Sequence, residues 1–274
     1  MTALDSLGSR MNVGLSAGGQ RMSGHGPCSA GTFNQGTQVD SKGFTLVELA
    51  IVLFIITLLL GGMLTPLTQQ IAERQNSDTR RALDNARIAL VGYALSHRDG
   101  SGHPYLPCPD QHSGSGAGDG QEDRQADGQC AALVGALPWH TLGVAEADAW
   151  GNRLGYAVSP GFAHANSGIR AQPAPATEIS VCREKACAQP LAAAAVILSH
   201  GRNGYGAHNA MGKINLAPTS ADERENAGGS PRFVMHPPTA ADRAGGEFDD
   251  IVTWLSPAWL LGRLCDPAAT CAGP

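Results

Sequence analysis

The sequence is short of charge and of aromatic side chains. Asp, Glu, Lys and Arg make up 16% of its 274 residues, and Phe, Trp and Tyr 5%. No run of Lys and Arg occurs, and the formal net charge is -5. A nucleic-acid binder needs a basic footprint with interleaved aromatic residues, so no nucleic-acid partner is expected. No C-x-x-C pair is present and the histidines do not repeat at ligand spacing, which argues against the common zinc frameworks. No G-x-S-x-G elbow occurs. Ser199 and His200 are neighbours, and at the end of a strand neighbouring side chains point to opposite faces. The stretch "GSGAGDG" lacks the Lys-Ser/Thr of a phosphate cradle. The chain is therefore not expected to be an enzyme.

Glycine and proline are plentiful, at 35 and 17, which describes a loop-rich chain. Its length allows one or two domains with a real core. There are seven cysteines: Cys28, then Cys108, Cys130, Cys182, Cys187, Cys265 and Cys271. An even set on one side of a long apolar run points to an oxidising compartment and to disulfides. Six cysteines allow 15 connectivities. Proximity favours Cys182 with Cys187 and Cys265 with Cys271, leaving Cys108 with Cys130.

The apolar run is "SKGFTLVELAIVLFIITLLLGG", from Ser41 to Gly62. Glu48 is the only charge between Phe44 and Thr65. At ~1.5 Å rise per residue such a segment spans a hydrocarbon core of ~30 Å. Pro66 interrupts it. Lys42 on its N-terminal side places that end in the cytoplasm by the positive-inside rule, with the cysteine-bearing bulk on the other side of the membrane. Residues 1–43 are polar, rich in Gly and Ser, and expected to be disordered or removed. Met11 and Met22 are alternative starts to Met1. A lone carboxylate in lipid is costly and usually marks function. If the chain were cut after Gly43, Phe44 would carry an amine about one helical turn from Glu48. In a stack of parallel helices, one subunit's amine would meet another's Glu48.

Beyond Pro66, Leu83, Ala86, Leu90, Val91, Ala94 and Leu95 recur at three- and four-residue steps. One helix is expected from about Phe44 to about His97, with its first half (44–66) in lipid and its second (67–99) packed on a globular head (100–274). Residues 100–135 read as a surface loop closed by Cys108–Cys130. Its acids Asp110, Asp119, Glu122, Asp123 and Asp127 fit no EF-hand spacing and read as a solvated acidic loop. Strands are expected at Leu154–Val158, Ile179–Cys182, from Ala192 toward Gly204, Asp249–Ser256 and Ala258–Leu261. Trp150 is expected to plug the sheet against the helix, with Gly151 and Asn152 making a turn. Residues 206–247 form a polar insertion without a clear period.

The stretch "KGFTLVEL", Lys42 to Leu49, resembles the cleavage and methylation site of type IV pilins and type II secretion pseudopilins. It has a basic residue, Gly before the cut, Phe after it, Glu five positions into the mature chain, and a long apolar run. The head motifs "DAWGNRLGY", "SHGRNG" and "DDIVTW" follow in the order of the corresponding motifs of major pseudopilins. The resemblance implies an α+β fold, a long N-terminal helix packed on a small antiparallel sheet. It implies cleavage after Gly43 by a membrane aspartyl prepilin peptidase, N-methylation of Phe44, and pairing of Glu48 with a neighbouring subunit's N-terminus. It also implies an inner-membrane precursor with a periplasmic head, in contact with lipid, other pilin or pseudopilin subunits and an inner-membrane assembly platform. In the relatives a calcium site joins the loop after the Ser-Gly strand to the acids before the last Trp. The matching candidates for Ca2+ are Asp249 and Asp250, although Asn203 stands where the family has Asp. A secretion pseudopilus subunit is the expected role. The alternatives are a minor type IV pilus subunit, serving adhesion, motility or DNA uptake, and a membrane-anchored binding module that never polymerises.

Overall fold

The computed structural model describes residues 43–113, 117–171 and 173–265, apart from the side chains of 62–67. Residues 1–42, which are all but the last residue of the expected leader 1–43, and Cys271 lie outside the described residues. The chain divides into two compact units, with the division between Ile55 and Ile56.

A long helix, α1, runs Leu46–Ser96. In the first unit and onward to Leu60 its apolar side chains are exposed, among them Leu46, Val47, Leu49, Ile51 and Phe54. Among the described residues no helix is long and apolar enough to cross a membrane. The expected span 44–66 lies partly outside them, because the described side chains stop at residue 61 and resume at 68. That leaves less than the ~20 consecutive apolar residues a hydrocarbon core requires.

The second unit is built on two sheets. The strands β1 (Val134–Ala136), β2 (Gly155–Val158), β3 (Ile179–Cys182), β4 (Leu191–Ala193) and β5 (Ala195–Ser199) are followed by β6 (Arg232–Val234) and β7 (Ile251–Leu255). The larger sheet has the order β1-β2-β5-β7 and is antiparallel throughout. The smaller has the order β4-β3-β6, in which β3 pairs antiparallel with β4 and parallel with β6. The mixed helix and antiparallel sheet is an α+β architecture. The single small sheet expected from the sequence is instead two sheets, one of them with a parallel pair.

Side-chain alternation explains why two sheets form. Tyr156 and Val158 of β2, Ile197 of β5 and Leu255 of β7 join the α1 residues Leu83, Ala86, Leu90 and Ala94 in one core. Their strand neighbours Ala157, Val196, Leu198 and Val252 point the other way and meet Ile179, Val181, Ala193 and Phe233 of the smaller sheet. The larger sheet is therefore covered on both faces, so β5 reads as an unbroken apolar run rather than an alternating one. Leu95, expected in the α1 stripe, is exposed, because Ala94 takes the inward position on that turn. Trp150 packs, partly buried, against the helix-side core.

Three short helices fill the connections: α2 (Trp139–Leu142), α3 (Pro160–Ala163) and α4 (Ala221–Ala227). The last element, α5 (Pro257–Leu264), replaces the strand expected at Ala258–Leu261. Ser256 caps it by accepting from the Trp259 N–H, and Pro257 occupies the first turn, where a missing N–H costs nothing. The expected strand from Ala192 is divided at Ala194 between β4 and β5, which lie in different sheets.

Cys108 is bonded to Cys130 and Cys182 to Cys187, with Cα separations of 5.2 and 5.1 Å. Cys265 is also disulfide-bonded. The expected Cys265–Cys271 pairing reaches outside the described residues.

Leu90 is fully buried between α1 and the larger sheet, whereas Ile88 is 67% exposed. Leu90→Ala is expected to cost about 2–5 kcal/mol of unfolding free energy, and Ile88→Ala no more than about 0.5 kcal/mol. Urea melts of the two variants against the parent chain check the difference.

Candidate functional site

Two regions carry the expected functional residues. The first is the start of α1. Phe44 is 83% exposed, and Glu48 lies in the first helical turn. Thr45 and Glu48 form a reciprocal pair: the Glu48 N–H donates to Thr45 Oγ1 at 3.2 Å, and the Thr45 N–H approaches Glu48 Oε2 at 3.5 Å. This is a capping box, in which two N–H groups that a helix start leaves free are met by side chains. Glu48 is thus not a carboxylate without a partner inside its own chain, as the sequence reading had it. The pattern T-x-x-E was the signal for this, and its apolar setting hid it. A Cβ built on Gly43 meets no heavy atom within 4 Å, and its φ is not in the left-handed region. The fold therefore places no demand for glycine at this position.

The second region lies where the loop after β5 meets the start of β7. Asp148 sets it up. Its Oδ1 accepts from the N–H groups of Trp150 and Asn152, making the "DAWGN" turn, while Ser199 Oγ donates to Oδ2 at 2.6 Å. That bond ties the end of β5 to the turn before β2. At the far end of the loop, Asn215 bridges Asn152 and the Gly204 carbonyl. Gly201 has φ +60°, and a Cβ there would press into the Asp249 backbone oxygen and carboxylate. Only glycine lets the loop approach Asp249 so closely.

Within this frame one oxygen each of Glu223, Asp249 and Asp250 lie within 4.8 Å of one another. Glu223 and Asp250 are buried, and Asp249 is partly exposed. Each carboxylate has one oxygen engaged. Glu223 Oε1 accepts from Asn203 Nδ2 at 2.9 Å and from the Asp249 N–H at 3.1 Å. Asp249 Oδ2 accepts from the Asn203 N–H at 2.8 Å, and Asp250 Oδ2 from Asn226 Nδ2 at 2.7 Å. The other oxygens, Glu223 Oε2, Asp249 Oδ1 and Asp250 Oδ1, are buried without a hydrogen-bond partner. His200 Nδ1 comes no nearer to Asp250 Oδ1 than 3.6 Å.

Three buried acids in one place are poorly solvated. Burial pushes the Glu223 carboxyl up to about 7, with the Asp250 charge adding to it. Burial likewise raises Asp249 to about 6, with Asp250 again contributing. A set of oxygen donors with three uncommitted atoms suits a hard divalent cation such as calcium. Asn203, in the place of the family's Asp, is part of the frame: it donates to both Glu223 and Asp249.

Glu223 was missed by sequence reading. It sits on α4, inside the insertion read as having no period, and α4 is polar on every side. The signal available was again a capping pattern, Ser220-x-x-Glu223: the Glu223 N–H donates to Ser220 Oγ at 3.2 Å.

The acids of the 100–135 loop do other work, and the solvated loop expected there is in part buried. Asp110 is fully buried and accepts from the N–H groups of Gly118 and Gly120. Glu122 accepts from the Tyr93 hydroxyl, the Cys108 N–H and Arg124. Asp119, Asp123 and Asp127 each take backbone N–H donors. These residues order a chain segment that has little apolar surface of its own.

The prokaryotic N-terminal methylation motif matches residues 40–64 of the chain. Comparison with curated proteins returned no match, and neither did comparison with solved structures. The matched residues include Gly43, Phe44 and Glu48. They carry the N-terminal signature of type IV pilin-like precursors, a motif that implies processing by prepilin peptidase and assembly with other pilin-type subunits.

Proposed function

We propose that the chain is a pseudopilin, cleaved after Gly43, N-methylated at Phe44 and assembled into a type II secretion pseudopilus that supports protein export. The observation that carries the first part is the methylation motif over residues 40–64, with Glu48 in the first turn of α1. On this reading residues 44–66 anchor the precursor in the inner membrane and the head lies in the periplasm, beside the assembly platform. Cleavage creates a cationic amine at Phe44, and Glu48 of a neighbouring subunit receives it. A charge-assisted contact of this kind in low dielectric is stronger than the long Thr45–Glu48 contact it competes with.

The choice of pseudopilus over pilus draws on the head. Asp249 and Asp250, with Glu223, join the loop after the "SHG" strand to the acids before Trp254, which is the connection that calcium makes in the major pseudopilins this chain resembles. We propose calcium as the occupant of that cluster. When bound, the ion supplies the positive charge that the three carboxylates lack and fixes α4 and the loop after β5 to the start of β7. A type IV pilus role is the competing outcome. Complementing a strain that lacks the subunit separates the two: retention of exported proteins in the periplasm reports the pseudopilus, and loss of surface pili the pilus.

Three outcomes are expected. Co-expression with prepilin peptidase shortens the chain to a new N-methylated Phe44 terminus by mass spectrometry. Gly43→Ala reduces that conversion and Gly43→Leu abolishes it, with no change in melting temperature, because the space around Gly43 is open. A chain that is not shortened at all points to the non-polymerising anchor.

Glu48→Ala is expected to leave cleavage intact and to lower filament incorporation about tenfold or more, read by shearing and sedimentation. Equal incorporation of the variant sinks the proposed pairing.

The calcium proposal has a pH signature. Glu223 moves from the ordinary 4.5 to about 7 and Asp249 from 3.8 to about 6 in the folded chain. Between those values the folded state holds more protons than the unfolded one, so these groups take stability away as pH rises through the window. Calcium should therefore raise the melting temperature by several degrees at pH 8, on the scale of about 2.7 kcal/mol at a hundredfold excess over Kd, and have little effect at pH 5. Glu223→Gln should remove most of that difference. The same melt with and without calcium at pH 8 rejects the site.

A further inference from the structure

A cavity of about 960 Å³ in the second unit shares Asp249 and Asp250 with the carboxylate cluster but extends well beyond it. Its walls combine three features. The first is a free sheet edge: β7 is the last strand of its sheet, and Ile251, Val252 and Trp254 of β7 line the cavity. Among the described residues no strand pairs with the outer side of β7. Such an edge offers a row of backbone groups to an incoming strand. The second feature is apolar surface, from Val181, Leu191, Met235, Val252 and Trp254. The third is unmatched positive charge.

Arg80 on α1, Arg183 after β3 and Arg202 after β5 all line the cavity and are exposed. Among the described residues none of them is in an ion pair. The contrast with the surrounding basic residues is plain. Arg74 and Arg81 are within reach of Asp78, and Lys185 and Arg232 within reach of Glu225. His236, also in the lining, faces Asp222. The two acids at the cavity wall, Asp249 and Asp250, each have one oxygen bonded to Asn203 or Asn226 and one within the Glu223 cluster. On the reading that a cation fills that cluster, their charge is neutralised there and the arginines are the charges that meet a partner.

We infer that this cavity is a docking groove for an extended peptide segment of a partner protein, one that alternates acidic and apolar residues and adds as a strand to the free edge of β7. Backbone bonding along the edge supplies affinity, apolar side chains enter the apolar wall, and the carboxylates between them meet Arg80, Arg183 and Arg202. A lipid or a compact anionic ligand would use the arginines and the apolar wall but leave the strand edge without a role, so a peptide is favoured. The inference stands apart from the filament that the chain joins and from the methylation motif.

The test uses the full chain in detergent micelles with calcium chloride present. The probes are a fluorescein-labelled peptide alternating Glu and Val and a counterpart alternating Lys and Val. Anisotropy should show binding of the Glu-Val peptide and none of the Lys-Val peptide. Arg183→Glu should weaken binding about tenfold, and Arg80→Glu with Arg183→Glu further, with unchanged melting temperature since both side chains are exposed. Hydrogen exchange at residues 251–255 should slow when the Glu-Val peptide binds. Equal binding of both peptides, no binding, no response to the arginine reversals, or no protection of β7 overturns the inference. So does binding to phosphatidylglycerol vesicles with none to the peptide, which assigns the arginines to a lipid surface. Self-association that the double reversal abolishes assigns the groove to a second copy and overturns it equally.

Discussion

The larger sheet has to be covered on both faces, and most of the second unit follows from that constraint. Ala195, Val196, Ile197, Leu198 and Ser199 of β5 are all buried. Neither α1 alone nor the smaller sheet alone can bury a strand of that kind. With α1 on one side, Ile197 shares a core with Leu90; with the smaller sheet on the other, Val196 and Leu198 share one with Val181 and Phe233. The smaller sheet in turn needs β6 parallel to β3, and that pairing fixes where α4 lies in the chain between β5 and β6. Glu223 reaches Asp249 and Asp250 because of it. Asn226 makes the link concrete: it accepts from the Val234 N–H at the end of β6 and donates to Asp250 beside the start of β7. The carboxylate cluster is thus a by-product of how the second apolar face is covered.

What the sequence made legible follows the same physics. The long helix, β2, β3, the apolar run of β5 and β7 all carry a period or a run long enough to read. The helical stripe Leu83-Ala86-Leu90-Ala94 is the buried one. The elements that escaped reading are too short or too polar to carry a period: β1 is Val-Gly-Ala and α4 is Ala-Asp-Glu-Arg-Glu-Asn-Ala, while β4, Leu-Ala-Ala, merged with β5 into one apolar run. Elements this short are fixed by their neighbours and not by their own propensity. The last segment was misread for a different reason. "AWLL" is a short apolar run that suits a strand or a helix equally, and the deciding residues are outside it, at Ser256 and Pro257. The parallel pairing of β3 with β6 had no sequence signal, because more than forty residues and three other elements separate the two strands.

The site residues divide in a similar way. Asp249 and Asp250 were legible through the motif that ends in Trp254. Glu223 was not, although Ser220 three residues before it marks a helix start. Both regions of interest hold the same device, a hydroxyl residue followed three positions later by Glu: Thr45 with Glu48 and Ser220 with Glu223. In the second case the capping bond uses the Glu223 backbone and leaves its carboxylate for the cluster. In the first, the carboxylate itself takes part, though over a long 3.5 Å contact.

That difference bears on the proposed assembly step. A carboxylate with a strong partner in its own chain would gain little from a neighbour, and one with none would be expensive to keep in an apolar stretch. Glu48 sits between these limits. Its contact to the Thr45 N–H is at the edge of hydrogen-bond range, so it tempers the cost of the charge in the precursor and is easily given up. Before cleavage, the nitrogen of Phe44 is an amide and carries no charge. Cutting after Gly43 turns it into an ammonium at the positive end of the α1 dipole, where its repulsion from the free N–H groups makes an external anion more favourable. On the proposed reading, cleavage therefore does more than remove a leader. It converts a helix start that is satisfied locally into one whose charge is best met by another subunit's Glu48, and so makes processing a precondition for assembly.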